Sequence, residues 1–246
     1  MAYAVITREA DAARPYAMAL APLGLDAVAL PVTQIAPARD PGELARAVAH
    51  GGYAAIVVAS ARAAAALQAA RGGATLPEVW AVGPATARTL EAAGIAALVP
   101  PVARDAVTLA GALLAERALA GRRVLVPRAE DGRDEAVVAL RDAGVVVDAI
   151  TAYRTVAAPA DEPGLAHGLA LLRRGEVAVC AVFAPSQVAA LDGLVGIRAI
   201  TAQFAAIGET TAAALRGAGA AAVAVAAAPT PDCLAKAVAA VYPLRS

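Results

Sequence analysis

The chain alternates short apolar runs with segments whose apolar residues recur every three or four positions. The runs read as strands: "YAVITR" (3–8), "DAVALPVTQI" (26–35), "AAIVVAS" (54–60), "EVWAVG" (78–83) and the shorter "IAALVP" (95–100). Between and after them, five segments read as helices: "DAARPYAMALAPLG" (11–24), "GELARAVAHG" (42–51), "ARAAAALQAA" (61–70), "PATARTLEAAG" (84–94) and "VTLAGALLAERA" (107–118). Several of these stop at a glycine, the usual left-handed end of a helix. Continuous apolar strands are buried on both faces. Their alternation with helices over short connections predicts an α/β fold with parallel sheets flanked by helices.

The pattern then restarts. "RRVLVPRAEDGRDEAVVALRDAGVVVDAITAYRT" (122–155) repeats the layout of the opening, with Arg128 on Arg8 and Gly144 on Gly24 at an offset of 120. "VAVCAVFAPSQVAAL" (177–191) follows "AAIVVASARAAAAL". "AVGPATARTLEAAG" (81–94) and "AIGETTAAALRGAG" (206–219) share seven of fourteen positions. The chain therefore reads as two copies of one α/β unit of about 120 residues, a common domain size. Two copies are too few for a solenoid. Two similar domains facing across a cleft are expected instead, since sites often lie at domain interfaces.

In each copy of the duplicated segment a strand ends at a glycine, Gly83 or Gly208, and a helix carrying Thr86 or Thr211 begins. Unpaired N–H groups at such a start lie beyond the strand ends, where open α/β sheets bind ligands, and suit a carboxylate or phosphate. The plainer alternative is helix capping by the threonines with no ligand. The spacing matches neither a phosphate-binding GK[ST] loop nor the GxGxxG fingerprint, so no nucleotide cofactor is expected.

Composition narrows the chemistry. Net charge is zero, so nucleic acid is not an expected partner. Twenty of the 21 basic residues are arginine. That bias reads either as a coding preference or as a store of guanidiniums for carboxylates. His50 and His167 are the only histidines and have no ligand spacing; Cys180 and Cys233 are isolated. No metal site, catalytic triad or disulfide is expected. No apolar run is long enough for a membrane span, and "MAYAVITREADAARPY" lacks a basic leader, so the expected compartment is the cytoplasm.

The ordered set of segments resembles the uroporphyrinogen-III synthase family over essentially the full length. "VITREADAARPYAMALAPLGLDAVALPVTQIAP" resembles that family's opening, and "VVASARAAAAL" its strand–Ser–helix segment. The two glycine–threonine segments resemble its VGxxTA and IGxxTAxAL segments. "GRRVLVPRAEDGRDEAVVALRDAGVVVDAITAYRT" resembles the start of its second half. One departure is Ala184 in "FAPSQV", where the family often has serine; Ser186 remains. The resemblance implies two α/β domains with a cleft between them, joined by crossover strands near 34–37 and 153–155. One is discontinuous, 1–33 plus 156–246, and the other is 38–152. It implies cofactor-free cyclisation of a linear tetrapyrrole, hydroxymethylbilane, with inversion of ring D, by a monomer. Tyr153 is then the expected proton donor. Ser60, Gly83, Thr86, Gly208, Thr211, Arg8, Arg128 and Ser186 are the expected holders of the substrate's carboxylates. A non-catalytic binding or regulatory protein for a polyanionic small molecule shares these features.

Overall fold

The computed structural model describes residues 2–242. In chain order the first elements are β1 (Ala2–Ile6), α1 (Ala10–Leu20), β2 (Leu25–Ala29), β3 (Thr33–Pro37), α2 (Glu43–His50), β4 (Tyr53–Val58) and α3 (Ala61–Arg71). There follow β5 (Glu78–Ala81), α4 (Gly83–Ala92), β6 (Ala97–Leu98), α5 (Ala106–Glu116), β7 (Arg123–Ala129), α6 (Glu135–Asp142) and β8 (Val146–Ala157). The last are α7 (Ala166–Arg173), β9 (Val177–Val182), α8 (Pro185–Val195), β10 (Gln203–Ala206), α9 (Glu209–Ala218), β11 (Val223–Val225) and α10 (Pro231–Val241).

The chain divides into two compact units. One runs up to Gln34 and resumes at Val156; the other is Ile35–Thr155. Among the described residues, the first holds a sheet of order β11-β10-β9-β1-β2 and the second a sheet of order β3-β8-β7-β4-β5-β6. The registered pairs are all parallel. Apart from the added edge strand β3, the two sheets have one strand order. β1 and β2 take the places of β7 and β8, and β9 to β11 those of β4 to β6. The sequence repeat and the units therefore do not coincide. Each unit combines the opening strands of one copy with the later strands of the other.

Both sheets are covered on both faces. In the first, Val5, Cys180, Val182 and Phe204 pack on Leu169, Leu172, Val188, Leu191 and Leu215 from α7, α8 and α9. Alternate residues Ala4, Ile6, Val179 and Ala181 turn to Tyr16, Leu20, Leu234 and Val238 of α1 and α10. In the second, Val57, Trp80, Val124 and Val126 face α5 and α6, while Ile56, Val58, Val79 and Leu125 face α2, α3 and α4. This two-sided burial is why the strands carry no polar alternation. The low aromatic content matters little to the core. Trp80 and Phe204 are fully buried, and alanines fill close strand–helix contacts.

Two expected elements come out differently. The single strand at 26–35 is two strands, because Pro31 has no N–H to continue a ladder. The Leu30 N–H still reaches Ile6 O at 2.8 Å; after the break, β3 lies beside β8 in the other sheet. The helix at 11–24 ends at Leu20 and tightens into a 3-10 turn at Ala21–Leu23, stopped by Gly24 at φ 71°. The long strand β8 pairs with β7 as far as Tyr153 opposite Ala129. Beyond that, Arg154 Nε donates to Pro37 O at 3.0 Å, fastening β3 to its edge.

Candidate functional site

In both sheets the strand order reverses at one place, between β1 and β9 and between β4 and β7. The crevice outside the carboxyl ends of the strands at such a reversal is where open α/β sheets bind ligands. Ser60 and Arg128 stand at the ends of the strands flanking one reversal and Arg8 and Ser186 beyond those flanking the other, while Tyr153 on β8, Gly83 and Thr86 after β5, and Gly208 and Thr211 after β10 lie one strand out.

In the unit Ile35–Thr155, Ser60 follows β4 and caps α3. It has extended backbone, and its Oγ accepts from Ala63 N at 3.1 Å. The same Oγ lies 3.2 Å from the hydroxyl of Tyr153, which β8 places opposite the end of β7. Either hydroxyl can donate across this contact, and Ser60, which already accepts from an amide, can give its own proton to the Tyr153 oxygen. In that arrangement the phenol proton faces outward, available to a ligand. Both side chains are half-buried. The serine thus orients the tyrosine, and the pair joins a general-acid candidate to a fixed helix start.

The glycine–threonine corners differ from the capping alternative. Thr86 lies beyond the first turn of α4 and Thr211 within that of α9; neither side chain caps its helix. The residues are 4% and 3% exposed. Among the described residues neither hydroxyl has a hydrogen-bond partner, yet no enclosed side-chain polar atom is left unpaired. Each hydroxyl therefore sits at the edge of a buried residue with its tip open.

The glycines differ too. Gly83 has φ 68°, a conformation that favours glycine, whereas Gly208 is extended at φ −179°, which any residue adopts. The two copies thus share the glycine in sequence but not its backbone conformation. The second corner also carries Glu209 in the first turn of α9, paired with Arg216. Its own carboxylate occupies part of the field that the first corner leaves free.

Arg8 and Arg128 follow equivalent strands but do different things. Arg128 bonds to Asp134 and to Gly132 O and is mostly buried, closing the loop after β7. It is not a free carboxylate holder, contrary to the expectation from its position. Arg8 lies over the Phe183 ring at 4.8 Å and near Tyr16 at 5.6 Å, and those two rings meet edge to face. Among the described residues it has no acidic partner within ion-pair distance. Stacking holds the guanidinium and leaves its fork unused.

At the start of α8 the backbone of Ala184 has φ −155° and ψ 153°, the same values as Ser60, but no hydroxyl. Ser186 is exposed and makes no side-chain hydrogen bond. The polar role falls to Gln187, which sequence reasoning does not single out. Its Oε1 accepts from Phe183 N at 2.9 Å and from the fully buried Thr7 hydroxyl at 2.8 Å. A signal is present. "APSQ" is a capping-box spacing whose first position has lost its hydroxyl. Among the described residues no group of three or more His, Cys, Asp or Glu is gathered as for a metal ion, and no helix is long and apolar enough to cross a membrane.

The comparison that decides kinship is of sequence. Residues 14–236 match the family described as uroporphyrinogen-III synthase HemD. The chain belongs to the uroporphyrinogen-III synthase family. A uroporphyrinogen-III synthetase structure from Helicobacter pylori 26695 is similar to the chain at 15% identity and TM-score 0.62, covering 98% of this chain and 100% of that one. A mutant uroporphyrinogen III synthase from the extremely thermophilic bacterium Thermus thermophilus is similar at 20% identity and TM-score 0.55, covering 96% of each. These two likenesses show a shared fold. No curated protein matched the chain by sequence.

Proposed function

We propose that this member of the uroporphyrinogen-III synthase family cyclises hydroxymethylbilane to uroporphyrinogen III, with Tyr153 supplying the proton. The observation that supports this most is the Ser60–Tyr153 pair at a strand-order reversal. Hydroxide is a poor leaving group. Protonation by the phenol lets the ring A hydroxyl depart as water while the pyrrole nitrogen lone pair stabilises the resulting azafulvene. Ring D attacks through its substituted carbon to give a spiro intermediate, which fragments and recloses with ring D inverted. A proton is lost at the end, and the phenolate can recover it. The steps are redox-neutral and need no electron acceptor. Holding ring D for attack at the crowded carbon is the larger task, and it falls to groups that fix the carboxylate arms.

Thr86 and Gly83 form the better anion corner, Thr211 and Gly208 the weaker one, and Arg8 a separate cationic contact. Each donor set comes from a single chain, so the reading requires no more than a monomer. The test is to supply hydroxymethylbilane to catalytic amounts of protein, oxidise the products and resolve the isomers. Isomer III above the enzyme-free control supports the reading. A protein that only binds polyanions would retain product and leave the ratio unchanged.

A further inference from the structure

We propose that Gln187 is a specificity-determining binding residue, whose amide NH2 acts beside Arg8 to hold one substrate carboxylate and takes the place of the hydroxyl missing at Ala184. The proposal rests on the functional reading above and names a contact that the duplicated segments do not supply. The Gln187 side chain is fixed in orientation. Phe183 N–H donates to its Oε1, which identifies the carbonyl end of the amide. The Thr7 hydroxyl, at zero exposure, shares its one proton between Oε1 at 2.8 Å and Ala181 O at 3.0 Å. A residue with three flexible torsions is thereby held by two donors at one end. Its NH2 has no protein partner among the described residues and is not an enclosed unpaired group. It therefore opens outward.

Arg8 touches the same anchor. Its guanidinium stacks on the ring of Phe183, the residue whose N–H holds Gln187, and it is the chain neighbour of Thr7. Two sets of N–H donors, neither paired with a carboxylate of the chain, are thus each fixed by Phe183, one on its ring and one on its backbone N–H, after the carboxyl ends of β1 and β9. No acidic side chain is within ion-pair distance of Arg8 among the described residues. A carboxylate with two oxygens fits a guanidinium fork plus an amide NH2, whereas a neutral or cationic group does not. The equivalent position in the other unit is Ala63, whose N–H is capped by Ser60, so this donor belongs to one reversal only.

Gln187→Glu separates binding from structure. One Glu oxygen still accepts from Phe183 N–H and Thr7, so folding is preserved. The other puts a negative charge where the NH2 stood. Gln187→Leu removes the amide altogether and reports the cost of losing both internal bonds. Melting, KM for hydroxymethylbilane and kcat are measured on wild type, both variants and Arg8→Gln. The expected result for Gln187→Glu is a melting temperature close to wild type with KM raised about tenfold or more and a smaller change in kcat. Arg8→Gln should raise KM similarly, and the Arg8→Gln/Gln187→Glu double variant by less than the product of the two, because both hold one group. Wild-type KM in a folded Gln187→Glu protein would overturn the proposal and leave the functional reading intact. No isomer III from the wild type would overturn the functional reading and this proposal with it.

Discussion

Replacing Ser60 with alanine tests the link between fold and chemistry at the Tyr153 site. The backbone tolerates it, because Ala184 already adopts the same φ and ψ at the equivalent helix start. Two hydrogen bonds are lost. The cap on Ala63 N–H is worth about 1 kcal/mol, within a range of about 0.5–2. The 3.2 Å contact with Tyr153 is long for two hydroxyls and contributes about 0.5–1 kcal/mol. Stability should therefore fall by about 1.5–2 kcal/mol, read by denaturant melting. Turnover should fall roughly two- to tenfold, the size of an orienting bond of about 0.5–1.5 kcal/mol, with about 1.4 kcal/mol to a decade. Tyr153→Phe removes the group being oriented, so the double variant should be no slower than Tyr153→Phe alone. The assay is initial formation of isomer III by the four proteins of the cycle. If the two losses multiply, the serine does not act through the tyrosine and the pairing has no catalytic meaning.

Tyr153→Phe alone should lower turnover at least about tenfold with near-native melting, since only a half-buried hydroxyl is removed; unchanged turnover would take the phenol out of the reaction. Thr86→Val should weaken product binding by about tenfold and Thr211→Val by less, because Glu209 already lies in the second corner. Neither should lose the stability of a helix cap, and calorimetry with parallel melting separates the two effects. Alkaline pH should destabilise the fold. Burial, then the hydrogen bond to Asp148, pushes Tyr53 from 10.0 up to about 12, and burial pushes Cys180 from 9.0 up to about 12. Both pKa values are raised above the unfolded values, so their contribution is complete below about pH 9 and is lost as pH rises towards 12. Tyr53→Phe should flatten the decline above about pH 10 in melting curves, and an equally steep decline would refute that assignment.

The α/β class, the parallel sheets and the repeat are legible in the sequence because buried parallel strands leave long apolar runs and glycines mark helix ends. Where side-chain partners decide the outcome, periodicity is silent. Pro31 splits one apparent strand into two. Arg128 stands at the same repeat position as Arg8 yet is consumed by Asp134, a contact made across a loop that no period encodes. Gly208 resembles Gly83 in sequence, but only the latter needs a positive φ. Ser60 and Tyr153 are 93 residues apart and are tied to the site by family resemblance; their hydrogen bond comes from strand register. Gln187 carries only the local "APSQ" spacing, which accounts for its bond with Phe183 four residues earlier; Thr7 is 180 residues away and only the fold brings it near.

The proposed activity turns on ring D inversion. Its most direct measurement is a single turnover with protein in excess over hydroxymethylbilane, so that spontaneous closure is outrun. The quenched products are oxidised and the type I and type III isomers separated. Predominantly isomer III is expected from the wild type, with a fall towards isomer I in Tyr153→Phe. Only isomer I from the folded wild-type protein, at the rate of the enzyme-free control, would contradict that activity.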